Sequence, residues 1–290
     1  MIGFLRILHR HLSFTALAWL GERLGGLLYY ASPSRRRVGR TNLRLCFPQW
    51  GEAQTRAVLR AHFRAVGRAT LLETVSWWGS RAEVERAVHI EGAEHLAAVS
   101  DRPIILLAPH FVGLNLGGVR VTAWLAPIVS LYASIKNPEL GALMLHARTR
   151  FTGPHGEPSE MYSRQDGIKP VLRALKKGLP FYYLPDMDYG AKDSIFVPFF
   201  GVPAATITAL PRLAKTAGAA VVPCVTRWEH DRYVVRFYPA WKDFPSDSIE
   251  ADVRQMNAFI EARVREMPEQ YFWLHKRFKT RPTGESSFYD

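Results

Sequence analysis

From about residue 93 onward, short apolar runs alternate with stretches of helical spacing, and few folds accommodate that rhythm. The runs lie at 104–107, 128–133, 181–184, 220–225 and 233–238. Each is long enough for a buried strand and too short for a helix. Between or after them, residues 113–124, 138–150, 167–177, 206–217 and 253–266 carry the 3.6-residue period. The last of these sets Met256, Phe259, Ile260 and Val264 along one stripe. Strand and helix in alternation predict an α/β layered domain with a largely parallel central sheet flanked by helices. In such a sheet, ligands collect at the carboxyl ends of the strands. The chain ahead of residue 93 reads as helical, with Leu59, Phe63, Val66 and Thr70 on one face of a helix at 53–78. No internal repeat or low-complexity segment interrupts the 290 residues.

Charge narrows the class of partner. Lysine and arginine outnumber aspartate and glutamate 38 to 26, a formal charge of +12, which favours nucleic acid, anionic lipid or an acidic protein. Cys46 and Cys224 form no CxxC pair and no metal-ligand spacing, so the chain reads as an inhabitant of a reducing compartment with two inert thiols and no metal. Residues 1–32 form a basic, apolar, aromatic-studded segment, and Arg35, Arg36, Arg37, Arg40 and Arg44 follow. The clean apolar run, 12–20, is short of the roughly 20 residues that span a bilayer. The pattern predicts an N-terminal membrane-anchoring helix lying on anionic lipid, with 33–290 as the globular domain. A marginal span with its arginines on the cytoplasmic side, and a buried first helix followed by a solvated basic one, are the other readings.

The run at 104–107 ends on Ala108-Pro109-His110, and Asn115 stands five residues beyond His110. Five residues along a helix turn through about 140°, so two such side chains share no face. They meet only if His110 precedes the helix and residue 115 lies in its first turns. A side chain there could fold back to a ring nitrogen and fix the tautomer, leaving the other nitrogen as a base.

A histidine followed after four residues by an acid, just past a strand, resembles the glycerolipid and lysophospholipid acyltransferase superfamily. Further stretches resemble one branch of it, the bacterial lipid A late acyltransferases: 132–137 with its Lys136-Asn137, RQD at 164–166, LPDMDYG at 184–190, FVPFFG at 196–201 and PEQYFWLHKRFKTRP at 268–282. The resemblance covers essentially the whole chain. It implies transfer of an acyl chain from acyl carrier protein to a hydroxyl of a Kdo-bearing lipid A precursor, without a cofactor, at the cytoplasmic face of the inner membrane. His110 would be the catalytic base, with residue 115 as its catalytic partner. Arg164, Asp186, Asp188, Lys136 and Tyr132 would bind or organise substrate, and the oxyanion would fall to backbone N–H groups near Gly113 or Gly117-Gly118, or to a basic side chain. The implied partners are the carrier protein, the anionic lipid and the membrane surface. Nucleic acid is not among them, because no nucleic-acid motif accompanies the basic C-terminal block.

At 115 the family has an acid and this chain has asparagine. An amide still accepts a hydrogen bond but brings no negative charge. In the serine-protease triad the Asp-to-Asn change costs about 10⁴ in rate. Three explanations stay open: a substitution introduced into an active scaffold, a natural variant of reduced activity, and an enzyme that takes its carboxylate from elsewhere. The first rivals to the lipid A reading are an acyltransferase for another lipid and an inactive lipid-binding member of the fold.

Overall fold

A computed structural model describes residues 2–125, 127–153 and 156–290. Five helices come first: α1 (Ile2–His11), α2 (Phe14–Ala31), α3 (Pro33–Cys46), α4 (Glu52–Trp78) and α5 (Arg81–Ala87). The layered part then runs β1 (Val88–Glu91), α6 (Ala93–Ala97), β2 (Ile104–Leu107), α7 (Leu114–Leu125), β3 (Val129–Tyr132), α8 (Pro138–Thr149) and β4 (Glu160–Ser163). It continues through α9 (Lys169–Lys176), β5 (Phe181–Tyr183), β6 (Ser194–Phe199), β7 (Val202–Ile207), α10 (Ala209–Ala217), β8 (Ala220–Glu229), β9 (Arg232–Phe237) and α11 (Ile249–Glu266).

Seven strands form one sheet in the order β1-β9-β8-β2-β5-β3-β4. Every pairing is parallel except β8 with β9. The expected mixed α/β architecture with a mostly parallel sheet is therefore present. β2 and β5 are central and buried on both faces, which is why they read as continuous apolar runs. The segments that escape the pattern are short or polar. β1 and β4 have four residues each, with His89, Glu91 and Glu160 among them. The separate hairpin β6–β7 carries Pro198 and Pro203, and proline argues against a strand.

The N-terminal region departs from a lone anchor. Ser13 caps α2 and breaks it from α1. One face of α2 is pressed into α4 where Gly21, Gly25 and Gly67 meet. A Cβ on Gly25 would lie 2.2 Å from the Phe63 carbonyl oxygen, and one on Gly67 2.2 Å from that of Gly21. Only glycine allows helix backbones this close. Arg68 of α4 pairs with Glu22 of α2, which accounts for the charge that interrupts the apolar segment. The opposite face leaves Trp19, Leu24, Leu27, Leu28 and Tyr30 exposed. No helix among the described residues is long and apolar enough to cross a membrane.

Candidate active site

β2 delivers His110 to the carboxyl edge of the sheet. The ladder ends where the Ala108 N–H donates to the Tyr183 carbonyl, 2.8 Å. His110 follows in the turn before α7, and Asn115 is the second residue of that helix, the arrangement the motif requires. The ring's partner is a different residue. His110 Nδ1–H donates to Asp186 Oδ1 at 2.7 Å, and the His110 backbone N–H donates to Asp186 Oδ2 at 2.9 Å. Both carboxylate oxygens are thus spent on one histidine. Asp186 stands three residues past β5, the strand beside β2, and is only 1% exposed. Burial works against its charge, but the His110 charge and hydrogen bonds outweigh that and hold the carboxyl below its ordinary range. The pair fixes the tautomer and leaves Nε2 as the free base.

Asn115 has other partners. Its Oδ1 accepts from the Arg148 guanidinium of α8 at 2.9 Å, and its side chain is also bonded to Glu73 of α4. With Oδ1 engaged, the amide N–H faces the Glu73 carboxyl. Burial pushes Glu73 up to about 7, against the opposing pull of Arg148 and Asn115. Arg148 is lowered from its usual value by burial, against the pull of Glu73. Glu73 and Arg148 are invisible to sequence reasoning, because they look like ordinary charged positions on helices.

A cavity of about 620 Å³ joins the two clusters. His110, Glu73, Asn115 and Arg148 line it, with apolar walls from Val66 and Ala69 of α4 and from Met144 and Leu145 of α8. Tyr132, at the end of β3, and Arg164 line it too. Arg164 lies over the Tyr189 ring, 4.5 Å from guanidinium carbon to ring centroid, and donates to Tyr189 Oη at 3.2 Å. Asp166 is not its ion-pair partner but caps its own turn through the Ser163 N–H. Lys136 is exposed in the segment leading into α8.

Asp186 and Asp188, which the resemblance gives to binding or organising substrate, are both engaged with protein groups. Asp188 accepts from the Gly190 N–H, the Thr280 N–H and the Thr280 hydroxyl at 2.7–2.9 Å, and its own N–H donates to His275 Nε2 at 3.0 Å. That last bond needs a neutral His275, and burial, reinforced by Arg277 and His110, lowers this ring to about 4. The C-terminal block clamps the His110 turn in the same manner. The Phe272 N–H donates to the His110 carbonyl and the Val112 N–H to the Gln270 carbonyl. Arg277 is buried against the Ala205 carbonyl and Thr206, so this cation of the block is structural.

The glycines of the motif serve packing. Gly113 has φ +95°, and a Cβ there would lie 2.2 Å from the Tyr233 ring. On Gly117 it would lie 2.1 Å from Thr226 Oγ1, and the Gly117 N–H is already donated to the Gly113 carbonyl within the turn. Both cysteines are buried, and burial raises their thiols, which fits inert roles.

A histidine base braced by a buried carboxylate, beside a largely apolar cavity, is chemistry suited to moving an acyl group onto a hydroxyl. The family model of bacterial lipid A biosynthesis acyltransferases matches residues 1–280. Curated relatives in Escherichia coli (strain K12) agree. A lipid A biosynthesis lauroyltransferase is 35% identical and a palmitoleoyltransferase 34% identical, each covering 96% of this chain and 90% of the relative. A myristoyltransferase is 29% identical over 91% of this chain and 81% of the relative. The chain belongs to the bacterial lipid A biosynthesis acyltransferase family, and it is an acyltransferase of lipid A biosynthesis. The relatives' names differ in acyl chain, so membership alone sets no chain length.

Proposed function

We propose that the enzyme transfers a fatty acyl chain from acyl carrier protein to a hydroxyl of a Kdo-bearing lipid A precursor, working from the cytoplasmic face of the inner membrane. The carrying observation is the His110–Asp186 pair at the wall of the cavity. His110 Nε2 takes the hydroxyl proton as that oxygen forms its bond to the thioester carbonyl carbon. Asp186 steadies the imidazolium. The C–S bond then breaks, and the proton passes from His110 to the leaving thiolate. The apolar walls from α4 and α8 suit the donor chain. Family membership supports the lipid A acceptor.

The exposed aromatic face of α2, with Phe4 and Ile7 of α1, supports attachment flat on a membrane. Arg35 and Arg36 also donate to the backbone carbonyls of Leu274 and Tyr29. Replacing the exposed Leu27 and Tyr30 by serine should release the protein from anionic vesicles while leaving its thermal midpoint in place. Undiminished co-sedimentation of that variant would count against the attachment.

The test of the reaction is transfer from a set of acyl carrier protein thioesters to the tetraacylated precursor, with products read by mass. The parent should give a pentaacylated product and His110→Ala none. Transfer by the parent only to a glycerolipid or another acceptor would overturn the proposed substrate.

A further inference from the structure

A second cavity, about 540 Å³, opens against the same strands. It shares Leu131, Arg164 and Leu184 with the His110 cavity, so Arg164 stands on the boundary between the two. Its floor is apolar, from Tyr182, Tyr183 and Leu184 at the end of β5 and Leu213 of α10. Its rim carries Arg164, Lys192 and Arg212 against a single acid, Asp193. Lys192 and Arg212 are exposed, and among the described residues their side chains make no hydrogen bond or ion pair. Thr208 and Ala209, at the N-terminal end of α10, form another edge, where first-turn N–H groups add positive potential. Two cations with no protein partner, Lys192 and Arg212, above an apolar floor match a molecule that is anionic at one end and hydrocarbon at the other.

Acyl transfer requires two substrates to meet at one histidine. We propose that this second cavity seats the acceptor, a phosphorylated acyl-glycolipid. A phosphate sits at Lys192 and Arg212, an acyl chain lies on the β5 floor, and Arg164 guides the reacting hydroxyl toward His110. The assignment rests on the reading that the acceptor is a phosphorylated lipid. It adds Lys192 and Arg212 as acceptor-binding residues that no motif had marked.

The experiment uses the full-length protein and the double variant Lys192→Ala/Arg212→Ala. Both sites are exposed, so the fold should tolerate the change. Binding of the phosphorylated tetraacyl-disaccharide in detergent is measured in a His110→Ala background, beside the same lipid after phosphatase treatment. The double variant should bind the phosphorylated lipid about tenfold more weakly, the scale of one charged hydrogen bond. It should bind the dephosphorylated lipid as the parent does. In turnover, the acceptor KM should rise while kcat and the KM for the acylated carrier protein stay fixed. No loss of affinity, or an equal loss for both lipids, overturns the proposal. So does a rise confined to the donor's KM, which would place the carrier's phosphopantetheine arm here. The two readings separate cleanly. Transfer to the lipid that ignores the rim sinks only the second cavity. Rim-dependent binding without transfer by the active parent sinks only the proposed reaction. Neither binding nor transfer sinks both.

Discussion

Two carboxyls near this cavity, Asp186 behind His110 and Glu73 on the cavity wall, behave in opposite ways. Asp186 touches His110 directly through two hydrogen bonds and is held below its ordinary range. Glu73 is bonded to the neutral amide of Asn115 and feels Arg148 only as a nearby charge, and burial lifts it to about 7. Burial opposes the charge of both, and the difference is the partner. A charge given a short, direct, charge-assisted bond stays ionised when buried, whereas one given an amide approaches neutrality. The contrast fits the explanation in which the carboxylate comes from elsewhere. The histidine's acid comes from another strand, so residue 115 is free to serve as a neutral bridge between an acid and a base.

The sharpest way to break the contrast is to remove the direct partner. Asp186→Asn should keep the fold, shown by unchanged circular dichroism, and lose about 10³–10⁴ in kcat, by analogy with the serine-protease triad. Activity within tenfold of the parent would show that Asp186 only holds the turn.

Glu73 offers a test on stability. Its carboxyl titrates near 4.5 in a free chain and about 7 in the fold. Between those values the folded state binds more protons than the unfolded one, so Glu73 makes stability fall as pH rises from about 4.5 to 7. The slope reaches at most about 1.4 kcal/mol per pH unit. Urea midpoints at pH 5 and pH 7.5 should therefore draw together in Glu73→Gln. An unchanged difference would assign the slope to another group.

The smallest expected effect is at the residue that departs from the family. Asn115→Asp places a second carboxyl beside Glu73 but leaves the His110 ring nitrogen with Asp186. Transfer should change by less than about tenfold, since no bond to His110 is altered. A gain of a hundredfold or more would show that the catalytic charge had been missing from 115.

Local pattern carried much of this molecule. Continuous apolar runs marked β2, β5 and the start of β8, because a strand buried on both faces has no room for polar residues. The same pattern failed at β1, β4 and the β6–β7 hairpin, whose histidine, glutamates and prolines satisfy no simple period. It also placed His110 after a strand and before a helix, whereas LPDMDYG stood out only through the family resemblance. The N-terminal segment was legible as apolar and basic. That α2 is half-buried was not, because glycine signals permission for close approach without naming the partner helix.

By itself the sequence determined where the buried central strands and the long helices lie and that a histidine follows one of those strands, since both follow from periodicity and turn chemistry within a few residues. Only the tertiary structure decided which carboxylate that base receives. Asp186 is 76 residues away from His110 in the chain, and the two meet because β5 lies beside β2 in the sheet. Strand order is fixed by the packing of all the layers at once, and no local stretch of residues encodes it.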